Sequence, residues 1–107
     1  MSVYVDTMRA RYGRMVMCHM IADTDDELHA MAHRIGVARR WWQSPGATSG
    51  SHYDICLNKR AAAIAAGAIE ISLRQLAIMN FRRNATGALG SPEDAIAWMN
   101  VRRDSKP

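Results

Sequence analysis

The sequence predicts a small α/β protein with a three-stranded, at least partly parallel sheet and about four helices packed on it. Short apolar runs with strand-like composition alternate with stretches in which apolar residues recur at helical spacing. A helical connection between the second and third runs indicates a crossover, which joins parallel strands with a right-handed sense. We expect one domain over residues 1–101 and a polar C-terminal tail over 102–107.

Three apolar runs are the predicted strands. They are Ser2–Asp6, Met15–Ala22 and Ala68–Ile71. Both alternating faces of the second run are mostly apolar, so we expect this strand to be central and covered on both sides. The loop Thr7–Arg14 precedes it. We expect the second and third strands to pair in parallel, which would place Ala22 and Ile71 near the same edge of the sheet.

Capping signals predict where three of the helices begin, because a Ser or Thr oxygen there accepts an N–H of the first turn. These signals are Thr24 with Glu27, Ser72 with Gln75, and Ser91 with Pro92. The first helix is expected to end at Gly36, a typical residue just beyond a helix C-terminus. The third is expected to end at about Arg82, before a loop over 84–90.

Composition is that of an ordinary soluble globular protein that favours anionic partners. Of the 107 residues, 49% are hydrophobic and 22% charged, and the net charge is +4. All cations except Lys59 and Lys106 are arginines, whose planar fork suits phosphate, although a solvated arginine surface explains them equally well. Cys18 and Cys56 are too few for a disulfide framework, and no run reaches the roughly 18 apolar residues of a membrane span. We therefore expect a cytoplasmic protein with reduced thiols.

A loop-to-helix junction at His52 is the strongest candidate site. The small-residue loop Ser44–Gly50 precedes it, and an alanine-rich helix over about 55–66 is expected to follow. His52 would be the general acid or base, Asp54 its orienting carboxylate, and His19 a second imidazole converging on it from a strand. The N-cap of the following helix is an alternative role for Asp54, and the one favoured here. A satisfied core position is the more common role of a histidine such as His19.

Cations and aromatic side chains supply the ligand-binding candidates. They are Arg60, Lys59, Trp42, Tyr53 and Arg40. Lys59 or Arg60 would hold a phosphate, and a tryptophan beside an arginine would stack a base. A buried tryptophan that anchors the loop explains that motif equally well. Arg60 lies four residues before Ile64, whose face is expected to be buried, so Arg60 should lean inward toward an aspartate or a phosphate.

Metal ligands are less clearly indicated. Asp6 and Asp23 lie at the ends of predicted strands, where carboxylates commonly hold Mg²⁺, so these two, with Asp26, are candidate ligands for a divalent ion. Aspartates beside a helix start are, however, usually helix caps. His29 and His33 lie four residues apart on one helix face, which suits two ligands of one metal. No third ligand is fixed by spacing, however, and a solvated helix face explains this pair better.

Several short motifs recur in a characteristic order along the chain. They are Tyr4-Val5-Asp6, Ile21-Ala22-Asp23 before Glu27-Leu28-His29, Ile35-Gly36-Val37, His52-Tyr53-Asp54 before Lys59-Arg60, and Ala66-Gly67-Ala68. Together, over about residues 2–75, they resemble the domain-of-unknown-function 4031 family, short proteins of phages, prophages and bacteria. The resemblance implies a phage or bacterial cytoplasmic setting and no particular activity. It draws attention to Asp6, His19, Asp23, His29, His52, Asp54 and Arg60.

Three functions of different classes fit these observations. The first is binding or hydrolysis of a phosphate-bearing ligand, such as a nucleotide, cyclic nucleotide or phosphodiester. The second is a nucleic-acid-binding accessory protein that uses the arginines. The third is a non-catalytic interaction module that blocks a host protein. The sequence does not identify the substrate, and it leaves open whether the chain forms a homodimer.

Overall fold

A mixed sheet with helices on both faces forms the protein, which is described by a computed structural model over residues 2–46, 48 and 50–105. Its strands are β1 (Val3–Val5), β2 (Ala10–Tyr12), β3 (Met15–Ala22), β4 (Tyr53–Cys56) and β5 (Ile69–Glu70). Its helices are α1 (Asp25–Arg34), α2 (Leu57–Ala65), α3 (Leu73–Thr86) and α4 (Pro92–Asp104), with a 3₁₀ turn at Arg39–Trp41. The α/β class, the helix number and a partly parallel sheet are confirmed for these residues. The sheet has five strands rather than three.

β3 is the central strand, as predicted. Its residue Met20 pairs with Val5 of β1 on one edge and with Tyr53 of β4 on the other. β2 pairs with the first half of β3 on the same edge as β1, because Met17 pairs with Ala10 of β2 on that edge and with Cys56 of β4 on the other. These pairings are antiparallel, whereas β5 runs parallel to β1.

The predicted parallel pairing of the second and third apolar runs is wrong. β1 lies between β3 and β5 and occupies the edge that the prediction gave to β5. Ala22 pairs with Val3, whereas Ile71 donates its N–H to the carbonyl of Val5, so the two residues lie at opposite ends of β1 and not at a shared edge. β1 is close to β3 in sequence and pairs with it antiparallel, so β1 occupies the position beside β3. β5 therefore pairs in parallel with β1 instead of with β3.

The two additional strands lie where loops or helix were predicted. β2 falls inside the loop predicted over 7–14 and turns into β3 at Gly13, whose positive φ of 61° suits a glycine. β4 replaces the predicted start of α2. Two helices also run further than predicted: α3 continues to Thr86, and α4 takes in residues 102–104 of the expected tail. Residues 106 and 107 of that tail lie outside the described residues.

Strand alternation divides the core into two layers. Cys18, Met20 and Ala22 of β3 pack with α1 and α2, a layer we call the α1 face. Ile21 of β3 packs with Leu76 and Met79 of α3 and with Ala95 of α4, a layer we call the α3 face. His19 lies two residues before Ile21 on β3, so its side chain is also on the α3 face.

Both cysteines are free thiols, as predicted. Burial raises the pKa of the Cys18 thiol to about 11, so this side chain stays protonated and acts as a small apolar group. Among the described residues, no helix is long and apolar enough to cross a membrane.

Candidate active site

His52 and Asp54 belong to a strand rather than to a loop-to-helix junction. Asp54 lies in β4 directly opposite His19 of β3, and His52, two residues earlier, presents its ring to the same face. The expected helix start at Ile55 is therefore wrong, and so is the N-cap role favoured for Asp54. Cys56 occupies the N-cap position of α2 without a side-chain hydrogen bond. The period-two pattern of β4 is what brings both side chains to His19.

His19 is held by Asp6 at the break between β1 and β2. Asp6 is fully buried; its Oδ1 accepts the backbone N–H groups of His19 (2.9 Å) and Met8 (3.2 Å), and its Oδ2 lies 2.7 Å from His19 Nδ1. Burial raises the pKa of Asp6, but the hydrogen bonds from the ring and backbone of His19 and from the backbone of Met8 outweigh burial and lower it overall. Asp6 is thus ionised and accepts a hydrogen bond from Nδ1–H of His19. When the ring is neutral, Nε2 therefore carries the lone pair, and it faces away from Asp6.

His52 is oriented in the same way by a backbone carbonyl. Its Nδ1 lies 2.7 Å from the oxygen of Gly50, and since a carbonyl can only accept, Nδ1 carries the proton. Nε2 lies 3.4 Å from Asp54 Oδ1. Burial lowers the pKa of His52, but the interactions with Asp54 and Gly50 outweigh it, so the pKa is raised overall.

Asp54 completes the cluster with one oxygen satisfied and one not. Its Oδ2 accepts a 2.6 Å hydrogen bond from the amide of Gln43. Its Oδ1 is buried without a hydrogen-bond partner, 3.4 Å from Nε2 of His52 and 3.9 Å from Nε2 of His19. The contact with His52 is too long for a well-formed hydrogen bond, yet it is the main reason why the pKa of Asp54 is lowered.

A cleft of about 370 Å³ lies above these side chains, between the sheet and α3. His19 and His52 line its floor, and their rings meet edge to face with centroids 5.3 Å apart. The predicted convergence of the two imidazoles is therefore confirmed. The opposite wall comes from α3: Leu73, Leu76, Ala77, Asn80, Phe81 and Asn84.

Arg83 of α3 places a cation beside the cleft. It donates to the carbonyl of Ser51 (3.1 Å) and to Oδ1 of Asn80 (2.8 Å), and these neutral acceptors do not cancel its charge. Burial lowers the pKa of Arg83, and the charge of Asp25 partly offsets that effect. No local pattern in the sequence predicts this role, because Arg83 reaches the loop before β4 only through the packing of α3.

The sequence model of one family, described as proteins of unknown function (DUF4031), matches residues 3–83. The chain belongs to this family. The matched part of this DUF4031 protein runs from β1 almost to the end of α3, so it contains Asp6, His19, His52, Asp54 and Arg83. No curated protein and no solved structure matches the chain.

Two predicted ligand-binding residues of the DUF4031 protein lie on the α1 face instead. Tyr53 alternates with His52 and Asp54, is fully buried, and has its hydroxyl 2.7 Å from Nδ1 of His29. Trp42 contacts the ring of His29 edge to face and donates its indole N–H to Ser51. Both side chains therefore lie on the opposite face of the sheet from the cleft and pack near the loop before β4.

The predicted phosphate clamp is also elsewhere. Arg60 leans inward as expected, but it donates to the carbonyl of Asp6 (2.9 Å) and pairs with Glu70 (3.1 Å), not with an aspartate carboxylate. The fully buried residue of α2 is Ala63 rather than Ile64. The ammonium group of Lys59 lies against Gly36. The remaining candidate, Arg40, stacks over the exposed ring of Trp41 with 5.3 Å between the guanidinium carbon and the ring centroid.

One cluster of metal-binding character is found in the described part of the chain. His19, His52 and Asp54 each offer one ligand atom, and these atoms lie within 4.8 Å of one another. Asp6, proposed from sequence as a ligand, sits behind His19. Asp23 is exposed, and its carboxylate accepts the N–H of Ser2.

Proposed function

We propose that this DUF4031 protein binds a phosphate-bearing ligand, of the nucleotide, cyclic nucleotide or phosphodiester class, in the cleft on the α3 face and hydrolyses it. The observation that carries the proposal is the convergence of two oriented imidazoles on the unpaired oxygen of Asp54. A buried acceptor without a hydrogen bond is costly to a fold, so its presence directly behind the two imidazoles that line the cleft supports a role in function.

The cleft has the properties that a small anionic ligand needs. Its volume lies within the usual range of small-molecule sites, about 300–1,000 Å³. One wall is apolar at Leu76 and Phe81, which suits the face of a base, while Asn80 supplies a polar side chain. Arg83 beside it provides a positive charge that attracts phosphate.

The floor is suited to activating water. Hydrolysis joins the oxygen of water to phosphorus and breaks the bond from phosphorus to the leaving oxygen, which keeps the electron pair. The proton that water loses balances the proton that the leaving oxygen gains. Proteins activate water either by a base that takes this proton or by a bound cation, and both need lone pairs that point to one position, as those of His19, His52 and Asp54 do.

Ligand binding and turnover in two single variants test this proposal. The purified protein is screened by thermal shift against mononucleotides and cyclic mono- and dinucleotides, and by hydrolysis of bis(p-nitrophenyl) phosphate. We expect one ligand class to stabilise the fold and His52→Ala to reduce turnover at least about 100-fold, the scale of acid–base catalysis.

The matched control is His33→Ala, because His33 is exposed on α1 and faces away from the cleft. It should keep wild-type turnover. A protein that hydrolyses none of these compounds and gains no stability from them contradicts the proposal. Binding only to long nucleic acid, with steep salt dependence, would favour the accessory-protein function instead.

A further inference from the structure

We propose that Nε2 of His19, Nε2 of His52 and Oδ1 of Asp54 hold a divalent transition-metal ion, for which zinc is the probe. The inference rests on the proposed function only because the metal site lies at the cleft in which the phosphate-bearing ligand is proposed to bind. Metal binding is measured without any phosphate compound, so the two can fail separately.

The first argument is that every ligand atom is backed by a hydrogen bond on its other side. A metal-binding histidine typically donates its remaining ring N–H to a carboxylate or a backbone carbonyl. His19 has its Nδ1 on Asp6 and His52 has its Nδ1 on the carbonyl of Gly50, both at 2.7 Å. Asp54 is held in the same sense, because Gln43 donates to the oxygen that faces away from the cluster.

The second argument is spacing. Ligands bound tetrahedrally at about 2.1 Å from zinc lie about 3.4 Å from one another. Asp54 Oδ1 is 3.4 Å from His52 Nε2 and 3.9 Å from His19 Nε2, and all three atoms fall within 4.8 Å. Moving each group by less than about 1 Å would bring the three atoms to coordination distance.

The third argument is the chemistry of the donor set. Two imidazole nitrogens and one carboxylate oxygen suit zinc, iron, manganese or cobalt, whereas Mg²⁺ prefers oxygen ligands and bound water. Three protein ligands leave at least one position for water or a phosphate oxygen. A transition metal there supplies Lewis acidity toward the phosphoryl oxygen and a lower pKa of bound water. A cation would also give the buried Asp54 Oδ1 the partner that it lacks within the described structure.

Calorimetric titration of chelator-treated protein with zinc chloride tests the inference. We expect one zinc ion per chain, and at least about 100-fold weaker binding in Asp54→Asn and in His52→Gln. His33→Ala should bind within about two-fold of wild type. Magnesium chloride should show no saturable binding. Circular dichroism of the metal-free variants establishes that each is folded, and Asp54→Asn, which keeps the shape of the side chain, is the more conservative of the two.

Three results would overturn the inference. The first is the absence of saturable zinc binding to the wild type. The second is zinc binding that survives in both Asp54→Asn and His52→Gln, and the third is zinc binding that His33→Ala removes. Turnover of a phosphodiester by chelator-treated protein would leave the proposed function standing without a metal, whereas zinc binding without turnover would leave the metal site standing without that function.

Discussion

The same strands supply side chains to both faces of the sheet, but the two faces differ in how their buried polar groups are paired. On the α1 face the buried polar groups are paired: Tyr53 contacts His29, and the indole of Trp42 reaches Ser51, whose hydroxyl donates to Asp25 at 2.6 Å. On the α3 face, one residue along β4, the buried Oδ1 of Asp54 has no hydrogen bond in the described structure. Paired polar groups stabilise a fold, whereas an unpaired buried one calls for a specific explanation, such as a bound ion or a role in catalysis. The comparison supports a structural role for the polar groups of the α1 face and the proposed site on the α3 face.

Among residues that position the cluster without belonging to it, the largest effect should come from Asp6, behind His19. In Asp6→Asn an oxygen can still accept the N–H of His19, but an amide NH₂ then faces Nδ1 and favours the tautomer with the proton on Nε2. We expect phosphodiesterase activity and zinc affinity to fall about 10- to 100-fold, the usual cost of removing such a partner. Turnover and zinc titration measure it, together with a pH profile that a purely structural loss would not shift.

Asp23→Asn is the matched control for this change. Asp23 is an exposed carboxylate just beyond the far end of β3 from Asp6, so its loss should leave both activity and zinc affinity close to wild type. Equal losses in the two variants would mean that Asp6 acts through overall charge or stability rather than through His19.

A second prediction concerns the loop that carries the carbonyl for His52. A Cβ at Gly50 would overlap the side-chain ends of Asn80 and Arg83, whereas a Cβ at Gly46 meets nothing within 4 Å. Gly50→Ala should therefore lower the free energy of unfolding by about 1–3 kcal/mol, the range for overpacking, and Gly46→Ala should change it little. Urea denaturation of both variants checks this. Equal stabilities would show that α3 does not press on the loop.

The α1 face should respond in stability and not in activity. Tyr53→Phe removes the hydroxyl that contacts His29, and we expect a loss of about 0.5–1.5 kcal/mol in the free energy of unfolding. Phosphodiester turnover should be unchanged, because Tyr53 points away from the cleft. A Tyr53→Phe protein of normal stability but impaired turnover would place function on the wrong face.

The smallest predicted effect is a difference in titration between the two faces. Interactions with Asp54 and Gly50 raise the pKa of His52, whereas burial lowers the pKa of His29. The raised pKa means that His52 stabilises the metal-free fold at acidic pH and that this contribution is lost as pH rises through its folded-state value. For His29 the sign is opposite. NMR titration of the metal-free protein should show His52 titrating above His29, and the reverse order would contradict the assigned environments.

Local signals in the sequence predicted where α1, α3 and α4 begin and where α1 ends. Ser72 with Gln75 forms the expected capping box, Ser91 caps α4, and Gly36 follows the end of α1 with a positive φ of 79°. These features depend on residues within one turn, so they can be found without the fold. At Thr24 the detail differs, because Glu27 bonds the threonine hydroxyl rather than the backbone of the cap.

The site could be predicted only in part, because its geometry depends on distant pairings. His19, His52 and Asp54 were identified by residue type, but Asp54 fits an N-cap as well as a strand, and four residues of β4 are too short to decide between them. The role of Asp6 requires the break between β1 and β2. Arg83 requires the packing of α3, which no nearby motif reports.

The tautomers of His19 and His52 test the central claim most directly, because the site exists only if both Nε2 lone pairs face Asp54. Long-range ¹H–¹⁵N NMR of the metal-free protein, recorded at a pH at which the same sample shows both rings to be neutral, reports which ring nitrogen carries the proton. The account predicts a proton on Nδ1 and none on Nε2 in both residues, with a mixture of tautomers in exposed His33. A proton on Nε2 of either His19 or His52 would contradict it.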